Sequence, residues 1–223
     1  MENEEKFSID KENLKKETQD TVNQVRDTIK NVDFKKDTEA TKGFIKEMIS
    51  NPFEAVKRVA IGEENVLKKV IMIMIIYIAA YLAKEIIYTI KYGFLGGILD
   101  NIMNFVTAVT YPIFYVLVPS IVILILNKNN KKNLITTIST IVVATVPYIV
   151  SNVIGVIDAL VTGISIVTNP FSTVLSAIST ILTYFGMKEL FGVEEHKEFI
   201  KKYAIVRVIA SFIITILIRI GIA

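Results

Sequence analysis

The sequence predicts an all-α protein, a polytopic membrane bundle of five transmembrane helices preceded by a charged, partly helical cytoplasmic segment. Three observations carry that prediction. Five long apolar runs fill the last two thirds of the 223 residues, the composition is 52% hydrophobic with a mean hydropathy of +0.51 despite a polar start, and the lysines fall almost entirely in alternate gaps between the runs. The runs cover about 70–90, 104–126, 134–157, 164–190 and 203–222. Each is near or above the roughly 20 residues with which an α-helix crosses ~30 Å of hydrocarbon. The same composition narrows the chemistry. Zero cysteines exclude a disulfide framework, a thiolate nucleophile and a cysteine zinc site, and one histidine excludes a multi-histidine metal site. A net charge of +3 gives no argument for nucleic acid.

Residues 1–40 read as a charged cytoplasmic tail. The first 60 residues hold 12 Lys/Arg and 13 Asp/Glu, and they lack the basic start and short apolar core of a signal peptide, so the first span is expected to direct insertion itself. Val22, Val25, Ile29 and Val32 recur at spacings of 3, 4 and 3, the period of an amphipathic helix with a narrow apolar stripe. Such a stripe suits a solvated tether or a coiled-coil contact, and a cytosolic protein partner is expected to bind here if anywhere.

Residues 41–65 form a second amphipathic piece. Phe44, Ile45, Met48 and Ile49 make one apolar patch opposite Lys42, Lys46 and Glu47 before Asn51-Pro52 interrupts the helix, and Phe53 and Val56 resume the face. Two placements fit this pattern: Phe44, Ile45, Met48 and Phe53 inserted in the lipid headgroup layer, or a helix folded against the cytosolic ends of the spans.

Residues 66–223 are the membrane domain. In the first span Lys84 and Glu85 are adjacent, with Tyr77, Tyr81 and Tyr88 on or near the same side. An ionisable group at this depth either snorkels to the outer interface or marks a buried pair or substrate contact. Pro112 and Pro119 interrupt the second span and Pro147 the third, as static kinks or as hinges. Ser172, Ser176, Ser179 and Thr183 put a small, weakly polar face on the fourth span, suited to close helix packing, with Asn169-Pro170 as an expected helix start. Gly93, Gly96 and Gly97 read as loop glycines, lacking the Lys-Ser/Thr ending of a phosphate loop. His196 stands among Glu194, Glu195 and Glu198 in a charged linker, and Asp100 and Asp158 fall at predicted outer boundaries. No nucleophile, metalloprotease or nucleotide-binding motif is present, so neither an enzymatic activity nor a cofactor or metal is expected.

Orientation follows from the cations. Lys57, Arg58, Lys68 and Lys69 precede the first span, Lys128, Lys131 and Lys132 separate the second from the third, and Lys188, Lys197, Lys201 and Lys202 separate the fourth from the fifth. The opposite connections carry only Lys91 beside Asp100, then 158–169 with no Lys or Arg. The positive-inside tendency therefore predicts a cell-membrane protein with a cytoplasmic N-terminus and an outward C-terminus.

Three segments resemble one family. The lead-in from Asn51-Pro52-Phe53 to Val59, the mid-helix stretch from Val143 to Pro147-Tyr148, and the connection from Phe185-Gly186 to Lys197 resemble Yip1-domain membrane proteins, over roughly residues 50–222. The acidic-Leu-Tyr-Gly-Pro element of the eukaryotic branch is absent, which makes the resemblance one to the prokaryotic branch. It implies a non-enzymatic scaffold or organiser that recruits a partner through its N-terminal segment. The other function that the residues allow is a small permease, channel or lipid transporter using the kinked spans and the Lys84/Glu85 pair, as a homo-oligomer because five helices enclose little space.

Overall fold

The computed structural model describes residues 11–62, 66–93, 98–127, 132–161, 165–193 and 195–220, and their regular structure is entirely helical. The lysines at 128 and 131, the glycines at 96 and 97, Glu194, and the expected span ends at 164 and 222 lie outside the described residues.

Helices α1 (Lys11–Lys30), α2 (Phe34–Ser50) and α3 (Pro52–Ile61) precede the apolar runs. Asp33 divides the first two, because its carboxylate accepts hydrogen bonds from the backbone N–H groups of Lys35 and Lys36, each 3.1 Å away. The boundary expected at 40/41 therefore falls inside α2. Asn51 closes α2 through its N–H to the Glu47 carbonyl at 2.8 Å, and Pro52 then opens α3 where a missing N–H costs nothing. Gly62, at φ +80, ends α3 in the left-handed region that a side chain would disfavour.

Helices α4 (Leu67–Tyr92), α5 (Ile98–Leu126), α6 (Leu134–Leu160), α7 (Ser165–Phe191) and α8 (His196–Arg219) make the bundle. Four of them, α4, α6, α7 and residues 100–126 of α5, are long and apolar enough to cross a membrane. Helix α8 carries Lys202, Arg207 and Arg219 and falls short of that standard on composition. The four make this a multi-pass membrane architecture, and the outer surface agrees. Ile90, Ile166, Val208 and Phe212 are between 66% and 83% exposed, an apolar belt that water would penalise and acyl chains would not. Helix α7 starts a turn before Asn169-Pro170, so Pro170 lies inside it and does not begin it. The apolar tract from Ser165 extends the helix upstream of the proline, whose disruption is confined to an exposed end.

Helix α6 is the centre, with Val142, Val143 and Ala144 fully buried between α4, α7 and α3. Small residues bring α7 onto it. A Cβ on Gly186 would sit 2.9 Å from Thr140 Cγ2 and 3.0 Å from Val56 Cγ1, so α6, α7 and α3 meet where a side chain has no room. Ser179 donates to the Ala144 carbonyl across that interface at 3.1 Å, and Asn127 donates to the Leu190 carbonyl at 2.8 Å, both buried. At the opposite end Lys91 donates to the carbonyls of Ala159 and Leu160, which a helix terminus leaves without intrahelical partners.

The second amphipathic piece packs on protein. Phe44 and Met48 are 2% exposed within the core, and Val56 and Ala60 are fully buried. Of the two placements the pattern allows, Phe44 and Met48 take the one folded against the spans and not the lipid one. Their face of α2 meets α4, whose Lys69 ammonium lies 4.8 Å from the Phe44 ring centroid. Ile45 is half-buried against α4 and α6, while Phe53 is partly exposed and meets the Phe185 ring edge-on at 5.4 Å. Ile49, at 73% exposed, is the large apolar residue that α2 leaves uncovered toward its C-terminal end.

Candidate functional site

Each of four helices carries a row of residues at i, i+4 spacing to one place: Tyr111, Tyr115 and Pro119 on α5, Ile141 and Thr145 on α6, Thr183 and Met187 on α7, and Arg207, Ser211 and Thr215 on α8. Four-residue spacing keeps each row on one helix face. Between the rows lies a cavity of about 270 Å³. Ala210, Ile214 and Ile218 give it an apolar flank beside the polar stripe of α8.

Arg207 is the charged residue of this wall. It lies eleven rises of ~1.5 Å from His196, roughly 16 Å along α8 and close to the helix midpoint. It shares the cavity wall with Tyr111 and Tyr115. No aspartate or glutamate lines the cavity, and among the described residues Arg207 forms no ion pair. Within a bilayer such a cation would cost about 2.5–3.5 kcal/mol on insertion scales, which a counter-anion would relieve.

Behind Tyr115 the aromatic rings continue into the bundle. Tyr115 stacks on Tyr148 at 5.6 Å between centroids, Tyr148 meets Tyr77 edge-on at 6.2 Å, and Tyr81 lies 5.3 Å from Tyr77 and 5.6 Å from Tyr111. The Tyr81 and Tyr148 hydroxyls are 3.4 Å apart, longer than the ~2.7 Å of a strong O–H···O bond. Tyr77 is fully buried, and its hydroxyl has no hydrogen-bond partner among the described residues. Offset and edge-on rings explain the packing, which runs from α4 through α6 to the α5 wall of the cavity.

Of the residues expected from sequence, Tyr81 belongs to this cluster, Pro119 lines the cavity, and Pro147 precedes the clustered Tyr148. Pro112 is buried next to Tyr111. Lys84 and Glu85 lie a turn beyond the cluster on α4, both half-buried, and no ion pair joins them. Lys84 instead sits 5.8 Å from the Tyr88 ring centroid, and Tyr88 stacks on Tyr92 at 5.9 Å. Arg207, Tyr111 and Tyr115 were not singled out by sequence, although each had a signal: a cation inside an apolar run with hydroxyls at i+4 and i+8, and two tyrosines four apart ahead of a proline.

No family model matches the chain, and no curated protein and no solved structure is similar to it.

Proposed function

We propose that the chain is a non-enzymatic, five-span membrane organiser of the Yip1-domain kind, with its N-terminus in the cytoplasm and its C-terminus outside, which presents α1 to a cytosolic partner. One observation carries the reading: α3 is part of the core, so the polar segment is held on a fixed platform at one end of the bundle. That end also gathers Lys68, Lys69, Lys132, Lys188 and Lys197 at the termini of α4, α6, α7 and α8, the asymmetry expected of a cytoplasmic face. On the platform α1 buries Thr21 and leaves Val22 and Ile29 more than half exposed, a narrow apolar stripe open to a second helix. The Yip1 resemblance rests on the three sequence segments alone.

The test is affinity purification of the full chain and of a chain lacking residues 1–32, a deletion that spares the Asp33 cap of α2. A protein that co-purifies with the first and not the second is the expected result. An identical set of co-purifying proteins from both would reject α1 as the recruiting element.

A second reading, a small permease or lipid transporter, is supported by the cavity at Arg207. It moves the expected site from the Lys84/Glu85 pair to the α5–α8 side of the bundle.

A further inference from the structure

We propose that the cavity between α5, α6, α7 and α8 binds the anionic head of an acidic membrane amphiphile, with Arg207 as its counter-charge. The inference stands whether the chain organises or transports. Four observations lead to it. The wall holds a guanidinium with no carboxylate partner, and a membrane interior gives such a charge little solvent. Hydroxyls of Tyr111, Tyr115 and Ser211 line the same space and can donate to anionic oxygens, while those of Thr145 and Thr215 donate to the Ile141 and Ser211 carbonyls. Arg207, Ser211, Thr215 and Ile218 are exposed as well as cavity-lining, so the space opens along α8 toward the lipid flank of the bundle. Helix α8 packs mainly on α5 and only lightly on α7, which leaves a lateral way in.

Size and depth select the ligand class. About 270 Å³ equals the share of roughly nine waters at ~30 Å³ each. That accommodates a carboxylate or phosphate and the first part of a chain, leaving the tails in the bilayer. Arg207 lies five rises, about 7.5 Å, beyond Lys202, within reach of a headgroup drawn inward from the cytoplasmic leaflet. Ile141, Met187, Ile214 and Ile218 suit an acyl chain and disfavour a fully hydrated ion.

Native mass spectrometry of the full chain released from nanodiscs tests this with named probes: phosphatidylglycerol, oleate, phosphatidylcholine of matched acyl chains, and inorganic phosphate. The expected result is one retained phosphatidylglycerol or oleate, preferred over phosphatidylcholine by roughly tenfold or more. Arg207→Gln should reduce that preference to within about twofold, and Arg207→Lys should keep part of it because the charge remains. Ser211→Leu fills the cavity without touching the charge and should also lose the bound lipid, which keeps the test decisive if Arg207→Gln does not fold. Equal retention of the acidic and zwitterionic lipids, or an unchanged preference in Arg207→Gln or Ser211→Leu, would overturn the proposal. Displacement of the lipid by millimolar inorganic phosphate would overturn it too, in favour of a soluble anion.

Discussion

At the scale of single residues, the least forgiving position in the fold is Gly186. Alanine there would gain about 0.8–1 kcal/mol of helix propensity, yet its Cβ would press on Thr140 and Val56, both β-branched and stiff at χ1. Overpacking costs about 1–3 kcal/mol, so Gly186→Ala should be neutral to mildly destabilising. Gly186→Val should lower the midpoint of thermal unfolding in detergent by several degrees, while Gly43→Ala, whose Cβ meets nothing within 4 Å, should raise it slightly. A midpoint for Gly186→Val equal to that of the parent would mean that α3 does not sit on α6 and α7 as described. The candidate site was less legible than this packing. Lys84 and Glu85 are conspicuous in a sequence because they are adjacent charges in an apolar run. Arg207 is equally charged, but its meaning depends on which rows of α5, α6 and α7 face it, and a spacing within one helix does not specify its neighbours.

At the scale of elements, the spans were readable because length and apolarity alone mark them, and α4, α6 and α7 begin and end within three residues of the expected bounds. Their polar flanks were not readable to the same degree. Helix α2 has the period of an interfacial helix and of a packed one, and only the apolar end of α4 decides that Phe44 and Met48 turn inward. Helix α1 is held more weakly. Lys68 donates to the Asn31 carbonyl just past the end of α1 at 3.2 Å and stands 3.9 Å from the Asp37 carboxylate on α2, with about half of its side chain exposed, so these contacts contribute under ~1 kcal/mol. Lys68→Ala should therefore raise amide exchange in the α1–α2 turn and the last turn of α1 by up to about fivefold and leave α3 and the spans protected. A matching rise in α3 would show that the cytosolic helices open as one unit and that the platform is not fixed.

At the scale of the whole molecule, the question is whether α8 crosses the bilayer. Between Tyr203 and Ile218 it holds ten Ile, Val, Leu or Phe residues and one cation, Arg207. On insertion scales those ten contribute about −3 to −6 kcal/mol against roughly +2.5 to +3.5 for arginine at the helix centre, a balance of about −3.5 to +0.5 kcal/mol that an anionic partner for the guanidinium would tip toward insertion. At 24 residues the helix is also about 36 Å long, enough to span. Five spans then put the two ends of the chain on opposite sides. The absence of cysteine makes that directly measurable, because each introduced thiol is the only one. With a membrane-impermeant maleimide on intact cells, Val161→Cys and Ile220→Cys should label. Asn133→Cys and Glu195→Cys should label only after permeabilisation. All four positions are exposed at helix ends, so packing against protein does not block the introduced thiols. Should Ile220→Cys behave like Glu195→Cys, α8 would lie along the cytoplasmic face. Arg207 would then need no counter-anion, and both the five-span topology and the lipid site would fall together.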